Sequence, residues 1–190
     1  LEEVEKAMPA KGIKVTAVER FQRTDTSVTG QVLKILATSP DAVLIAASGT
    51  VAVMPQKAIK EQGYTKPIYQ THGVGTMDFV RVGGKDVDGT VFPAGPVVVA
   101  DLLPDSHPSK KVGLEYIKAY EANNKTPFAV FGAHLADCVS IAANSVKPAL
   151  EKGKPGTAEF RSGLRDAIET TKELAATHGV YNYSATDHAG

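Results

Sequence analysis

Apolar and polar positions follow two different grammars along this chain, and the change comes near Pro96. Residues 1–8 read as the end of a helix, closed by Pro9 and the Lys11-Gly12 turn. Ile13-Lys14-Val15-Thr16-Ala17-Val18 alternates like a strand. Thr24-Asp25-Thr26-Ser27 is rich in capping side chains, and Val28, Val32, Leu33, Ile35 and Leu36 follow at helical spacing until Ser39-Pro40 ends the run. A strand over 41–47 comes next, then a helix over 51–62 closing on Gly63, a strand over 67–70, a helical turn near 77–80 and a strand over 89–92. Strands alternating with helices predict an α/β fold with a parallel, doubly wound sheet and right-handed crossovers.

Beyond Pro96 the strands almost vanish. A proline-containing connector over 97–108 leads to helices over 110–123 and 128–150, with apolar spacing at Leu114, Ile117 and Tyr120 and at Leu135, Val139 and Ile141. Thr157 and Phe160 open a third helix over 158–174, and 180–184 is a late extended segment. Such helices cannot bury their apolar faces alone. They need a sheet that this chain lacks, or another copy of the chain, so self-association through exposed helices is expected.

The three apolar strands before Pro96 each run into a short, small, polar loop: Ser48-Gly49-Thr50, Thr71-His72-Gly73-Val74-Gly75 and Pro93-Ala94-Gly95-Pro96. In an open parallel sheet the carboxyl ends of the strands form the crevice where ligands sit. Ser48, Gly49, Thr50, Thr71, His72 and Gly73 are therefore the candidate ligand-binding residues. Ser48-Gly49-Thr50 can offer amides and hydroxyls to an anion at the start of helix 51–62, and it can equally cap that helix. His72 reads either as a hydrogen-bonding or charge-bearing ligand contact or as an exposed loop histidine. Tyr69 is expected to pack in the sheet.

Other constellations carry less. His134 and Asp137 stand three apart on one helix, but two ligands do not make a metal site, and solvent-facing or capping roles are expected for them. Asp187-His188 and Thr177-His178 have no Gly-x-Ser-x-Gly elbow to supply a nucleophile. Gly73-Val74-Gly75 and Gly83-Gly84 do not form a dinucleotide fingerprint. Neither a catalytic residue nor a metal or other cofactor is expected. Lys plus Arg and Asp plus Glu both number 21, so no net field draws the chain to nucleic acid or to an anionic membrane. One cysteine, Cys138, excludes an intrachain disulfide. No apolar run reaches the ~20 residues that span a bilayer. The sequence starts in mid-helix without a cap and reads as a piece of a longer chain, so the lack of a targeting signal carries no information.

Several stretches belong together: Asp41-Ala42-Val43-Leu44-Ile45, Gln62-Gly63-Tyr64, Pro67-Ile68-Tyr69-Gln70 and Val87-Asp88-Gly89-Thr90-Val91. To these add the tail from Lys154-Pro155-Gly156-Thr157-Ala158-Glu159-Phe160-Arg161 through Thr177-His178-Gly179-Val180-Tyr181-Asn182-Tyr183-Ser184-Ala185-Thr186-Asp187-His188. Together they resemble the type I periplasmic substrate-binding proteins of ABC transporters, in the branched-chain amino-acid-binding group. The resemblance implies two α/β lobes joined by crossing strands, with ligand trapped by hinge closure. It places 1–96 in the second lobe, 97–176 in a hinge crossing and helices of the first lobe, and 177–190 in a crossing back. The first lobe's sheet, and the second lobe's first strand, would precede Leu1. It further implies a non-enzymatic, extracytoplasmic component, periplasmic or lipid-anchored, with a small-molecule ligand and a membrane permease as partners.

Two positions depart from that pattern. Amino-acid-binding members typically carry a large aromatic where this chain has Ser48, and an acid for the ligand's ammonium where it has His72. Serine and histidine remove that cation recognition, and an imidazole beside hydroxyls and amides suits an organic acid, aromatic acids included. The same scaffold also serves as the sensing domain of receptors and regulators, and a Rossmann-like enzyme would share the strand-end site.

Overall fold

The computed structural model describes residues 2–189 and divides into two compact units, one ending at Pro93 and one beginning at Ala94. In the first unit, helix α1 (Glu2–Ala7) precedes α2 (Thr29–Leu36), β1 (Val43–Ile45), α3 (Val53–Glu61), β2 (Ile68–Gln70) and α4 (Met77–Gly83). β1 and β2 pair in parallel, with Val43 opposite Ile68, Leu44 opposite Tyr69 and Ile45 opposite Gln70. Parallel neighbours require a crossover, which α3 supplies. Val43, Ile45 and Ile68 point into a core with Val28, Val32 and Ile59, and Phe21, Ile35, Leu36, Met54 and Tyr64 pack around it. A second core gathers Ala52, Val53, Val74, Phe79 and Val87 beneath the strand ends. Because side chains alternate across a strand, Leu44, Tyr69 and Val91 form a row on the opposite face, each 40–52% exposed.

Three expectations fail here. Residues 13–18 form no strand, and Ile13, Val15 and Val18 are exposed. A strand exists only where another backbone pairs with it, and among the described residues none pairs with this one. The strand over 89–92 shrinks to a single bridge between Val91 and Tyr69, held by Gln70 N–H to Val91 O (2.9 Å) and Val91 N–H to Ile68 O (3.2 Å). Tyr69 does not pack into the sheet; it belongs to the open row.

The second unit holds α5 (Pro108–Asn124), α6 (Val130–Leu150), α7 (Ala158–Glu169) and a two-residue antiparallel pair, β3 (Leu174–Ala175) with β4 (Val180–Tyr181). His107 caps α5 by accepting Ser109 N–H at Nδ1, with Pro108 preset for the first turn. Thr157 caps α7 through Phe160 N–H. α6 and α7 approach closely because Gly163 lacks a Cβ, which would meet Ala149 Cα at 3.3 Å and the Lys152 side chain at 2.9 Å. α7 stops at Glu169, not at 174. Thr170 turns its hydroxyl back to Asp166 O, and the chain beyond is claimed by Tyr183 N–H to Thr171 O (2.9 Å) and Glu173 N–H to Asn182 Oδ1 (3.0 Å). On α6, Phe131, Leu135, Val139, Val146 and Leu150 form an exposed apolar stripe.

Candidate functional site

The sheet delivers β1 and β2 side by side, so the loops after them must meet. Thr71 donates its hydroxyl to Ala47 O at 2.7 Å, and Ser48 donates to Gly73 O at 3.4 Å. Gly73 is buried directly against Ser48: a Cβ there would come within 2.8 Å of Ser48 Oγ and 3.1 Å of its Cα. Ser48, Gly49, Thr50, Thr71, His72 and Gly73 are thereby brought together in one rim. Gly49 takes φ +65°, which lets the chain turn out of the extended Ser48 into the 3-10 turn Gly49–Ala52 that leads to α3. His72 opens a second 3-10 turn, His72–Val74, closed by Gly75 N–H to His72 O at 3.0 Å.

Ser48 occupies the capping position of its turn, yet its side chain makes no capping bond. Its proton goes across to Gly73 instead. Thr50 and His72 are exposed, Ser48, Gly49 and Thr71 are half-buried, and Gly73 is buried. The hydroxyls of Ser48 and Thr71 both donate to backbone carbonyls, not to a base, which suits fixing a loop rather than activating a nucleophile. The rim can hold a small polar molecule by the exposed hydroxyl and imidazole.

Beneath the rim lies a buried amide pair that the sequence did not announce. Gln56 on α3 and Gln70 on β2 are at most 2% exposed. Gln70 Nε2 donates to Ala52 O (3.2 Å) and to Gln56 Oε1 (2.9 Å). Gln56 Nε2 donates to Asp86 O (2.9 Å) and to Thr90 Oγ1, which donates in turn to Val87 O (2.6 Å). The signal available in sequence was Gln70 at the inward register of an apolar strand.

The second unit holds a different cluster. Asp137 is buried, not solvent-facing, and lies on the inward row Ala133, Asp137, Ile141, Ser145 and Ala149 of α6. Its Oδ1 accepts Thr177 N–H (2.8 Å); its Oδ2 accepts His178 N–H (3.0 Å) and Tyr181 O–H (3.1 Å), and stands 3.2 Å from His178 Nδ1. Burial pushes this carboxyl upward, but the amides of Thr177 and His178 and their side chains outweigh it and hold Asp137 below the ordinary carboxylate range. Burial first, and then the Asp137 charge, push the Tyr181 phenol well above its ordinary value. His178 stacks on His134 with ring centres 3.5 Å apart and fills the space left by Gly95, where a Cβ would overlap its ring. Val97 N–H reaches Thr177 O at 3.1 Å, tying the segment after Gly95 to the same strip. A carboxylate spaced at every fourth position among Ala133, Ile141, Ser145 and Ala149 was the sequence signal for this staple.

A family model described as "Periplasmic binding protein" matches residues 1–190. The chain belongs to the type I periplasmic binding protein family. Its α/β fold is that of type I periplasmic binding proteins. An extracellular ligand-binding receptor from Rhodopseudomonas palustris HaA2 is 44% identical at a TM-score of 0.92, over 98% of this chain and 52% of that one. A second such receptor from the same strain is 45% identical at 0.92, over 100% and 53%. The branched-chain amino acid transporter substrate-binding protein LivJ from Streptococcus pneumoniae, solved with isoleucine, shares the fold at 0.71 with 19% identity, over 97% and 49%. The chain thus spans about half the length of the solved structures it matches. No curated protein matches it. Periplasmic binding proteins of this type bind ligands without turning them over. Among the described residues, no helix is long and apolar enough to cross a membrane.

Proposed function

We propose that this chain is part of the solute-binding component of an ABC importer, working in the periplasm or anchored outside the membrane, and handing a small polar ligand to a permease. The family membership and the transporter-binding neighbours support this reading. The rim at 48–50 and 71–73 is its contribution to the ligand site. It lacks a carboxylate for an ammonium group and offers an exposed imidazole and hydroxyl, so the ligand is an organic acid, aromatic acids included, rather than an α-amino acid. The observation that carries this is the joined rim itself: Ser48 lies against Gly73, leaving Thr50 and His72 as its outward polar side chains. Titration calorimetry on the intact protein with benzoate, 4-hydroxybenzoate, leucine and valine tests it. Tight leucine or valine binding with no heat from either acid overturns the ligand class.

A further inference from the structure

The rim is built from loops that share few direct bonds, yet one buried amide chain reaches below all of them. It begins at Ala52 O, at the end of the turn that carries Gly49 and Thr50. It passes through Gln70, the residue just before Thr71 and His72, and then through Gln56 on α3. It ends at Asp86 O and Thr90, in the turn that feeds Val91 into the sheet. Backbone carbonyls stand at both ends, and a carbonyl only accepts. They therefore dictate the orientation of both amides: Gln56 must present its NH2 to Asp86, which turns its oxygen to Gln70, whose NH2 then also meets Ala52. Neither amide can flip without setting oxygen against oxygen.

We propose that Gln56 and Gln70 are positioning residues that couple the segments 49–52, 71–75 and 86–90, so that the rim opens and closes as one cooperative unit. The inference rests on the rim being the ligand site only for its effect on affinity; the coupling itself is a property of the unliganded protein. Removing one amide leaves the buried groups it met one bond short, and the fault passes along the chain because the second amide loses the bond they share.

The test is hydrogen exchange on the unliganded intact protein, comparing wild type with Gln70→Met and Gln56→Met, which keep the volume and remove the polar ends. Gln70→Met should speed exchange by about tenfold at 49–52 and also at 86–90, which Gln70 does not touch. Gln56→Met should do the same at 86–90 and also at 49–52. Faster exchange confined to each side chain's own partners overturns the proposal. Ile59→Val, in the core on the same helix, separates coupling from general loosening: it should lower global stability without singling out these loops, and an identical loop pattern there would also overturn it. If the glutamine variants do not fold, Thr90→Val removes one end of the chain; faster exchange at 49–52 supports coupling, and a change at 86–90 alone refutes it. Benzoate affinity is read in parallel, with Kd expected to rise about fivefold in both glutamine variants. Coupled exchange in a protein that ignores benzoate keeps the positioning role and removes the ligand reading. Benzoate binding with strictly local exchange does the reverse.

Discussion

The strand-end rim and the Asp137 staple use similar groups to opposite ends. Both bring a histidine, hydroxyls and backbone amides together at the end of regular elements. In the rim, His72 and Thr50 face outward, and no charge of fixed sign is buried. In the staple, a buried carboxylate meets the amides of Thr177 and His178, and its neighbours are packed around it. Exposure leaves Thr50 and His72 open to solvent. Burial makes the staple groups indispensable to one another, because an ion removed from water is tolerable only while every lone pair is met. Polar clusters in one chain can thus be sorted into solvent-facing and architecture-holding by asking which of them would be left unpaired by a single deletion.

The largest break in that contrast is Asp137→Ala. It strands the Thr177 and His178 amides and the Tyr181 hydroxyl, and should cost about 3–5 kcal/mol of stability in urea denaturation. Asp137→Asn keeps one acceptor oxygen and should cost less. A loss below about 1 kcal/mol for the alanine variant would show that the staple is not what holds this segment. The same carboxylate gives a pH signature. Its folded-state pKa lies below its ordinary 3.8, so it stabilises the fold at every pH above that value. That contribution is lost as pH falls through the depressed folded value. Acid unfolding should therefore be steeper below about pH 4 in wild type than in Asp137→Asn, and equal slopes would contradict the assignment.

Gly73→Ala is the next largest. Its methyl group would press on Ser48 Oγ and on the Ser48 backbone, so the loop must shift, at a cost of about 1–3 kcal/mol. The shift falls on the rim, and affinity for benzoate should drop further than that stability loss alone would cause. Unchanged affinity in a destabilised protein would separate Ser48 from the ligand.

Much of this contrast was legible in the sequence, and the failures share one cause. Helix spacing located α2, α5, α6 and α7, since a helix makes its bonds within itself, and Thr157 is the expected cap that the structure shows. The six rim residues were found together because the end of a parallel strand forces its loop to a known place. Strands were overestimated wherever pairing had to come from elsewhere: 13–18 alternates well but pairs with no other backbone among the described residues, and 89–92 keeps only Val91. Helix 158–174 was overrun because Tyr183 and Asn182, distant in sequence, capture residues 171–173. Asp137 looked like a surface residue because burial of a carboxylate depends on donors forty positions away. Local physics can be read from a window of residues; non-local partners cannot.

The smallest expected effect on the fold is also the sharpest on ligand choice. His72 is exposed at the head of a short turn, so His72→Ala should leave stability within about ±0.5 kcal/mol. If the imidazole meets a carboxylate, the variant should bind benzoate about tenfold more weakly, a difference of about 1.4 kcal/mol in calorimetry. His72→Asp goes further, since it places an anion where the proposed ligand carries its own. Benzoate binding should vanish, and an α-amino acid, whose ammonium suits that position, should gain affinity. A gain for benzoate, or none for leucine alongside intact benzoate binding, would mean that His72 faces water while the ligand sits elsewhere on the rim.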